Sequence, residues 1–209
     1  MMPAYEEYDR VAEETGWHGP EALFGMMFEY VEPGELLLDV GIGTGRSSFL
    51  FHRAGLRVLG MDIDEEMLAA VDEKGFAERL TRHDLTEAPY PYQEGSIDHI
   101  ICAGVINFCA DPTPVFSEAA RLLRDGGLLG VSAGDRDADE PAAVEVGPEH
   151  TRTGGTVTMY RHTAADVRGL LSTHGLSPVR EFEFTAFMDA ERARRIRCKA
   201  YVARRSPRG

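Results

Sequence analysis

Residues 36–48 read LLLDVGIGTGRSS. A short apolar run, Leu36–Val40, meets three glycines on alternate positions, Gly41, Gly43 and Gly45, and a polar stretch follows. The pattern predicts a buried strand, a tight turn and a helix that runs through about His52. Glycines permit backbone conformations closed to other residues and let another group approach the peptide units. The free N–H groups of the helix start favour an anion.

The rest of the chain repeats the same alternation. Arg57–Met61 reads as a second strand ending in Asp62, with Asp64 capping a helix over Glu65–Lys74 that stops at Gly75. Arg79–Arg82 is a third strand ending at His83-Asp84, and Ile97–Ala103 is a fourth. A helix from Asp111-Pro112 to Arg124 is followed by the turn Asp125-Gly126-Gly127 and a fifth strand, Leu128–Ala133. Thr163 caps a helix over Ala164–His174, Gly175 ends it, and strands over Val179–Phe187 and Arg197–Ala203 close the chain. Two helices, 4–15 and 20–31, precede all of this, the second opening at Gly19-Pro20. Repeated βα units give a parallel sheet covered on both faces. The short link between the last two strands makes them antiparallel. The expected fold is one α/β domain over 1–209, Rossmann-like and doubly wound. Its seven-stranded sheet is mostly parallel, with a reversed C-terminal strand and helices on both faces.

Charge narrows the partners. The chain carries 35 Asp and Glu against 22 Lys and Arg, a net charge of −13 that works against binding a phosphate backbone, so no nucleic acid is expected. No apolar run approaches the roughly 20 residues that span a bilayer. The acidic start MMPAYEEYDR lacks an apolar signal core, so no membrane partner and a cytoplasmic location are expected. Cys102, Cys109 and Cys198 have no zinc spacing, which predicts reduced thiols and no metal. The last 18 residues hold eight basic groups and no acid, as a charge-guarded edge strand would.

In open α/β sheets ligands bind beyond the carboxyl ends of the strands, where the order reverses. A dinucleotide site there carries G-x-G-x-x-G/A, whereas Arg46 stands at the third small position here. At that point the arginine is expected to obstruct helix–strand packing. The alternating G-x-G-x-G two residues after Asp39 resembles the first motif of class I S-adenosylmethionine-dependent methyltransferases. LGMDID, RHDLTEAPYPY, EGSIDHIICAGVINF and FSEAARLLRDGGLLGVS extend the likeness from about Leu36 to Ser132. It is nearest to the small-molecule branch labelled methyltransferase type 11.

The resemblance implies S-adenosyl-L-methionine as cofactor and a small-molecule methyl acceptor. It places the cofactor carboxylate at Gly41, Gly43, Thr44 and Gly45, with Asp39 either in contact or fixing the turn. Asp62 would hold both ribose hydroxyls, with Ile63 and Met67 just after it. Asp84 and Leu85 would meet the adenine, and Ala103 would end the fourth strand beside the cofactor. Residues 1–33, with Tyr8 and Trp17, would form a helical lid over a core at 34–133. Residues 134–162 would be a variable acceptor-side loop, and 163–209 a final helix and hairpin.

The acceptor is less legible. The Asn/Asp-Pro-Pro-Tyr stretch common in enzymes acting on exocyclic or amide nitrogens is replaced by Cys102-Ala103-Gly104-Val105-Ile106-Asn107. Asn107, Tyr160 and His162 are the candidate acceptor-side residues, each with a plain structural alternative as a loop or helix-entry contact. Cys102 and Cys109 raise a thiol-held metalloid as a further acceptor, without the other cysteine motifs that chemistry needs. An NAD-dependent oxidoreductase and a catalytically silent cofactor-binding module are the competing readings. Oligomeric state is not encoded legibly.

Overall fold

The computed structural model describes residues 9–10, 12–13, 16–146, 156–188 and 195–207. Seven strands form one sheet: β1 (Leu36–Val40), β2 (Arg57–Asp62), β3 (Ala77–Arg82), β4 (Ile97–Ala103), β5 (Leu123–Gly134), β8 (Leu176–Met188) and β9 (Arg195–Arg205). Their order is β3-β2-β1-β4-β5-β9-β8. The first five pair in parallel, and β9 runs antiparallel to both β5 and β8. The order reverses between β1 and β4, so the glycine turn lies at the switch point.

Side-chain alternation along β1 builds two cores from neighbouring residues. Leu38 joins Ile100, Val131 and Tyr201 under Phe116 of α4 (Thr113–Leu122) and Leu171 of α5 (Ala164–Thr173). Leu37 joins Val58, Ile101 and Val202 under Leu23 and Met27 of α1 (Gly19–Met27) and Phe51 of α2 (Arg46–Arg53). A strand apolar on both faces is what a sheet covered on both sides requires. The local stops act as read. Asp64 accepts from the amides of Glu66 and Met67 at the start of α3 (Glu65–Lys74), and Gly75 ends it in the left-handed region. Thr163 and Asp166 form a reciprocal capping box on α5.

Three expectations need correction. The Asp125-Gly126-Gly127 turn is a bulge inside β5, whose register with β4 jumps from Ile97↔Leu123 to His99↔Leu128. A Cβ on Gly127 would stand 2.5 Å from the Asp98 carbonyl oxygen, so pairing across the bulge requires glycine there. The loop after β5 contains a two-stranded antiparallel ribbon, β6 (Ala143–Val146) with β7 (Val157–Tyr160). The basic C-terminal strand is β9, an inner strand, and β8 is the edge. Its cations meet acids from elsewhere: Arg197 reaches Asp137 at 3.1 Å, and Lys199 lies 3.6 Å from both Asp135 and Glu183. The helix expected over 4–15 falls mostly outside the described residues; 9, 10, 12 and 13 are helical.

Candidate active site

The turn after β1 is held from below by β2. The amides of Gly41 and Ile42 both donate to the Met61 carbonyl, at 2.8 and 2.9 Å. Each glycine is required for a different reason. A Cβ on Gly41 would come within 2.5 Å of the Val105 side chain, which belongs to the loop after β4. One on Gly45 would meet the Phe76 ring at 2.5 Å, where α2 packs against the end of α3. Gly43 has φ +53 and nothing within 4 Å of a Cβ, so its open side faces a space that a ligand can use.

Asp62, at the end of β2, accepts from the Gly43 amide at 2.8 Å through Oδ2 and from the Asp64 amide at 3.0 Å through Oδ1. A carboxylate has about four lone-pair sites, so it retains capacity for further donors such as vicinal hydroxyls. Ile63 is 56 % exposed, while Met67, in α3, is buried. Asp84 is held in an Asx turn by the amide and hydroxyl of Thr86, at 2.8 and 2.7 Å through Oδ1, and these bonds hold its carboxyl below the usual range. Leu85 packs partly on the core, and the Tyr90 hydroxyl donates to its carbonyl at 2.6 Å. Ala103 ends β4 in contact with the second core.

Asp39 is a buried acid near the end of β1. It is 1 % exposed, and its Oδ2 has no hydrogen-bond partner among the described residues. Burial pushes its carboxyl up to about 7; Ser48 hydrogen bonding opposes the rise and the Asp62 charge adds to it. A buried acceptor without a donor calls for one from outside the chain. Helix-start amides for an anion at α2, a buried acceptor for a cation at Asp39, and the carboxylates of Asp62 and Asp84 make up a zwitterion-plus-nucleoside donor set.

The N-terminal segment covers this ground. The Trp17 ring stands 2.9 Å from where a Cβ on Gly104 would be and lies 6.4 Å from Phe184 between ring centres. The Thr44 hydroxyl, expected near a ligand carboxylate, donates instead to Asp9 Oδ1 at 2.6 Å. The Arg46 guanidinium lies 3.4 Å from the Asp9 carbonyl oxygen and 3.5 Å from Glu13 Oε1. Tyr8 lies outside the described residues. A recess of about 410 Å³ adjoins the turn at Gly45, Arg46, Phe49 and Lys74, and none of Asp39, Asp62 and Asp84 lines it.

On the acceptor side, Asn107 is buried and accepts from the Gly134 amide at 2.7 Å. His162 donates its amide to the Gly134 carbonyl at 3.1 Å and sets Nε2 3.3 Å from the Ile106 carbonyl oxygen. The two therefore meet around the end of β5, and both have structural work there. Tyr160 stands on the β6–β7 ribbon, opposite Ala143, two residues before His162. Burial raises all three thiols, Cys109 to about 11, Cys198 to about 12 and Cys102 well above its ordinary value, so each stays protonated. Among the described residues no group of three or more His, Cys, Asp or Glu could hold a metal.

Comparison with known proteins reads the same region. A family model described as "Methyltransferase domain" matches residues 38–131, from β1 through β5. Over that stretch the chain is similar to S-adenosylmethionine-dependent methyltransferases. It is similar to the malonyl-[acyl-carrier protein] O-methyltransferase of Serratia marcescens, 31% identical over 52% of this chain and 41% of that protein. It is also 28% identical to an arsenite methyltransferase of Halobacterium salinarum, over 79% of this chain and 44% of the relative. The chain thus spans less than half the length of these two methyltransferases. Among solved structures, the Burkholderia thailandensis 1,6-didemethyltoxoflavin-N1-methyltransferase superposes with a TM-score of 0.70. The identity is 17%, over 96% of this chain and 84% of that methyltransferase, whose structure holds S-adenosylhomocysteine.

Neither Asp9 nor Val105 was legible in the sequence as part of this candidate site. Asp9 sits in an ordinary acidic stretch, and its partner Thr44 is 35 residues away. Val105 reads as one more apolar residue, and only the adjacency of β1 and β4 brings it against Gly41.

Proposed function

We propose that the chain binds S-adenosylmethionine and transfers its methyl group to a small-molecule acceptor by in-line displacement. The observation that carries the reading is the buried, donorless oxygen of Asp39 close to the N-terminus of α2, where helix amides favour an anion. An α-amino acid moiety supplies both charges at once: its ammonium would answer Asp39, and its carboxylate would lie at the start of α2, whose first amides have no carbonyl partner within the helix. Asp62 would hold the ribose hydroxyls, and Asp84 the adenine amino group between Ile63 and Leu85. Met67 and Ala103 would back the ligand, and Trp17 would cover it.

Bound there, the cofactor supplies a sulfonium methyl that is already activated. The work of the chain is then to hold the nucleophile in line and exclude water. Asn107, His162 and Tyr160 would face the acceptor, on the side where the ends of β4 and β5 meet the ribbon. The raised thiols do not support a thiolate-held metalloid as acceptor. Three free, buried cysteines suit a reducing, cytoplasmic setting, and the net charge of −13 disfavours nucleic-acid acceptors. Among the described residues no helix is long and apolar enough to cross a membrane.

Calorimetry with S-adenosylmethionine and S-adenosylhomocysteine tests the cofactor half, with micromolar or tighter binding expected. Binding of nicotinamide dinucleotides alone would overturn it. Incubation with methyl-labelled cofactor and a metabolite extract tests the transfer half. A labelled small molecule is expected; binding without any labelled product identifies a silent module instead.

A further inference from the structure

We propose that Lys74 is a positioning residue: it clamps the N-terminal segment onto the glycine turn, across the mouth of the cofactor site. The proposal rests on the cofactor reading given above. The Lys74 ammonium stands where three elements meet. Its Nζ donates to the Thr44 carbonyl at 2.7 Å and to Asp9 Oδ2 at 3.1 Å. The other Asp9 oxygen accepts from the Thr44 hydroxyl at 2.6 Å. The contacts close a ring through the last turn of α3, the glycine turn and the N-terminal segment. Arg46 supports it from the side, 3.4 Å from the Asp9 carbonyl oxygen and 3.5 Å from Glu13 Oε1.

A lone exposed ion pair would hold such a segment weakly. This ring differs in two respects. Lys74 binds a backbone carbonyl and a carboxylate together, so releasing Asp9 leaves the ammonium still anchored for recapture. Thr44 is only 2 % exposed, so its hydroxyl has little water to replace Asp9. What the clamp holds is functional ground. Past Asp9 the segment is helical at Ala12, whose carbonyl accepts from the Trp17 amide at 2.9 Å. The Trp17 ring then covers Gly104, just beyond β4. Holding Asp9 therefore holds the ring over the end of the strand beside which the cofactor would lie. Lys74 acts on retention of the ligand and touches none of the reacting atoms. Its loss should raise the cofactor KM and dissociation rate while leaving kcat largely unchanged.

Trp17 is the only tryptophan in the chain, so its emission reports on this segment alone. In the ligand-free protein, Lys74→Met should shift Trp17 emission to the red and raise acrylamide quenching about twofold. It should also weaken S-adenosylhomocysteine binding about fivefold, and Lys74→Arg should restore most of both effects because a guanidinium can bridge the same two oxygens. Asp9→Asn should move Trp17 in the same direction, and the double variant should be no worse than the worse single one, since both open one ring. Trp17 emission and quenching unchanged in Lys74→Met would overturn the clamp, as would tighter ligand binding in that variant. A Trp17 response in a protein that binds neither cofactor form would support the clamp and overturn the cofactor reading.

Discussion

The Gly43 amide donates to the Asp62 carboxylate across 2.8 Å, joining the turn after β1 to the tip of β2. One carboxylate thus shapes the turn and, in the proposed complex, grips the ribose. Asp62→Ala should weaken S-adenosylmethionine binding at least tenfold, as loss of hydrogen bonds to a charged acceptor costs roughly 1.5–3 kcal/mol. The Gly43 amide should also exchange with solvent faster, even without ligand. Calorimetry and hydrogen exchange on the same variant check both, and unchanged affinity would displace the ribose from Asp62.

Asp39 predicts a trade of binding against stability. Its folded carboxyl titrates near 7, above the ordinary 3.8. Between those values the folded state binds more protons than the unfolded one, so the stability contribution falls as pH rises through that window. Asp39→Asn removes the buried charge. The ligand-free variant should melt higher than wild type at pH 8, with the gain shrinking toward pH 5, and should bind the cofactor more weakly. Thermal melts across pH give the first result and calorimetry the second.

Two glycines of one motif should fail differently. Gly43→Val puts a side chain into open space, so a folded protein that binds no cofactor is expected, with a strain of about 1–2 kcal/mol from its positive φ. Gly45→Val would drive its Cβ into Phe76, so it should lose more thermal stability than Gly43→Val. Circular-dichroism melts beside binding measurements separate the two failures.

The thiols should be quiet. Thiolate is the reactive form, and burial holds Cys109 to about 11 and Cys198 to about 12. A thiol-specific reagent at pH 8 should label the native protein slowly at all three cysteines and rapidly in denaturant. Fast native labelling of Cys102 or Cys109 would reopen a thiol-binding acceptor.

What the sequence determined by itself was local. The strand Leu36–Val40, the caps at Asp64 and Thr163 and the stop at Gly75 depend on side-chain period or on contacts within a few residues, and the structure has them where the residues predict. The match to a known glycine spacing carried the fold and the cofactor. The tertiary structure decided everything that depends on which distant segments become neighbours. It put β9 inside the sheet, turned Asp125-Gly126-Gly127 into a bulge, laid Val105 on Gly41 and brought Asp9 to Thr44 and Lys74. The physical reason is that a hydrogen bond or close contact across 20 to 70 residues needs the whole sheet order in place. No local propensity registers it.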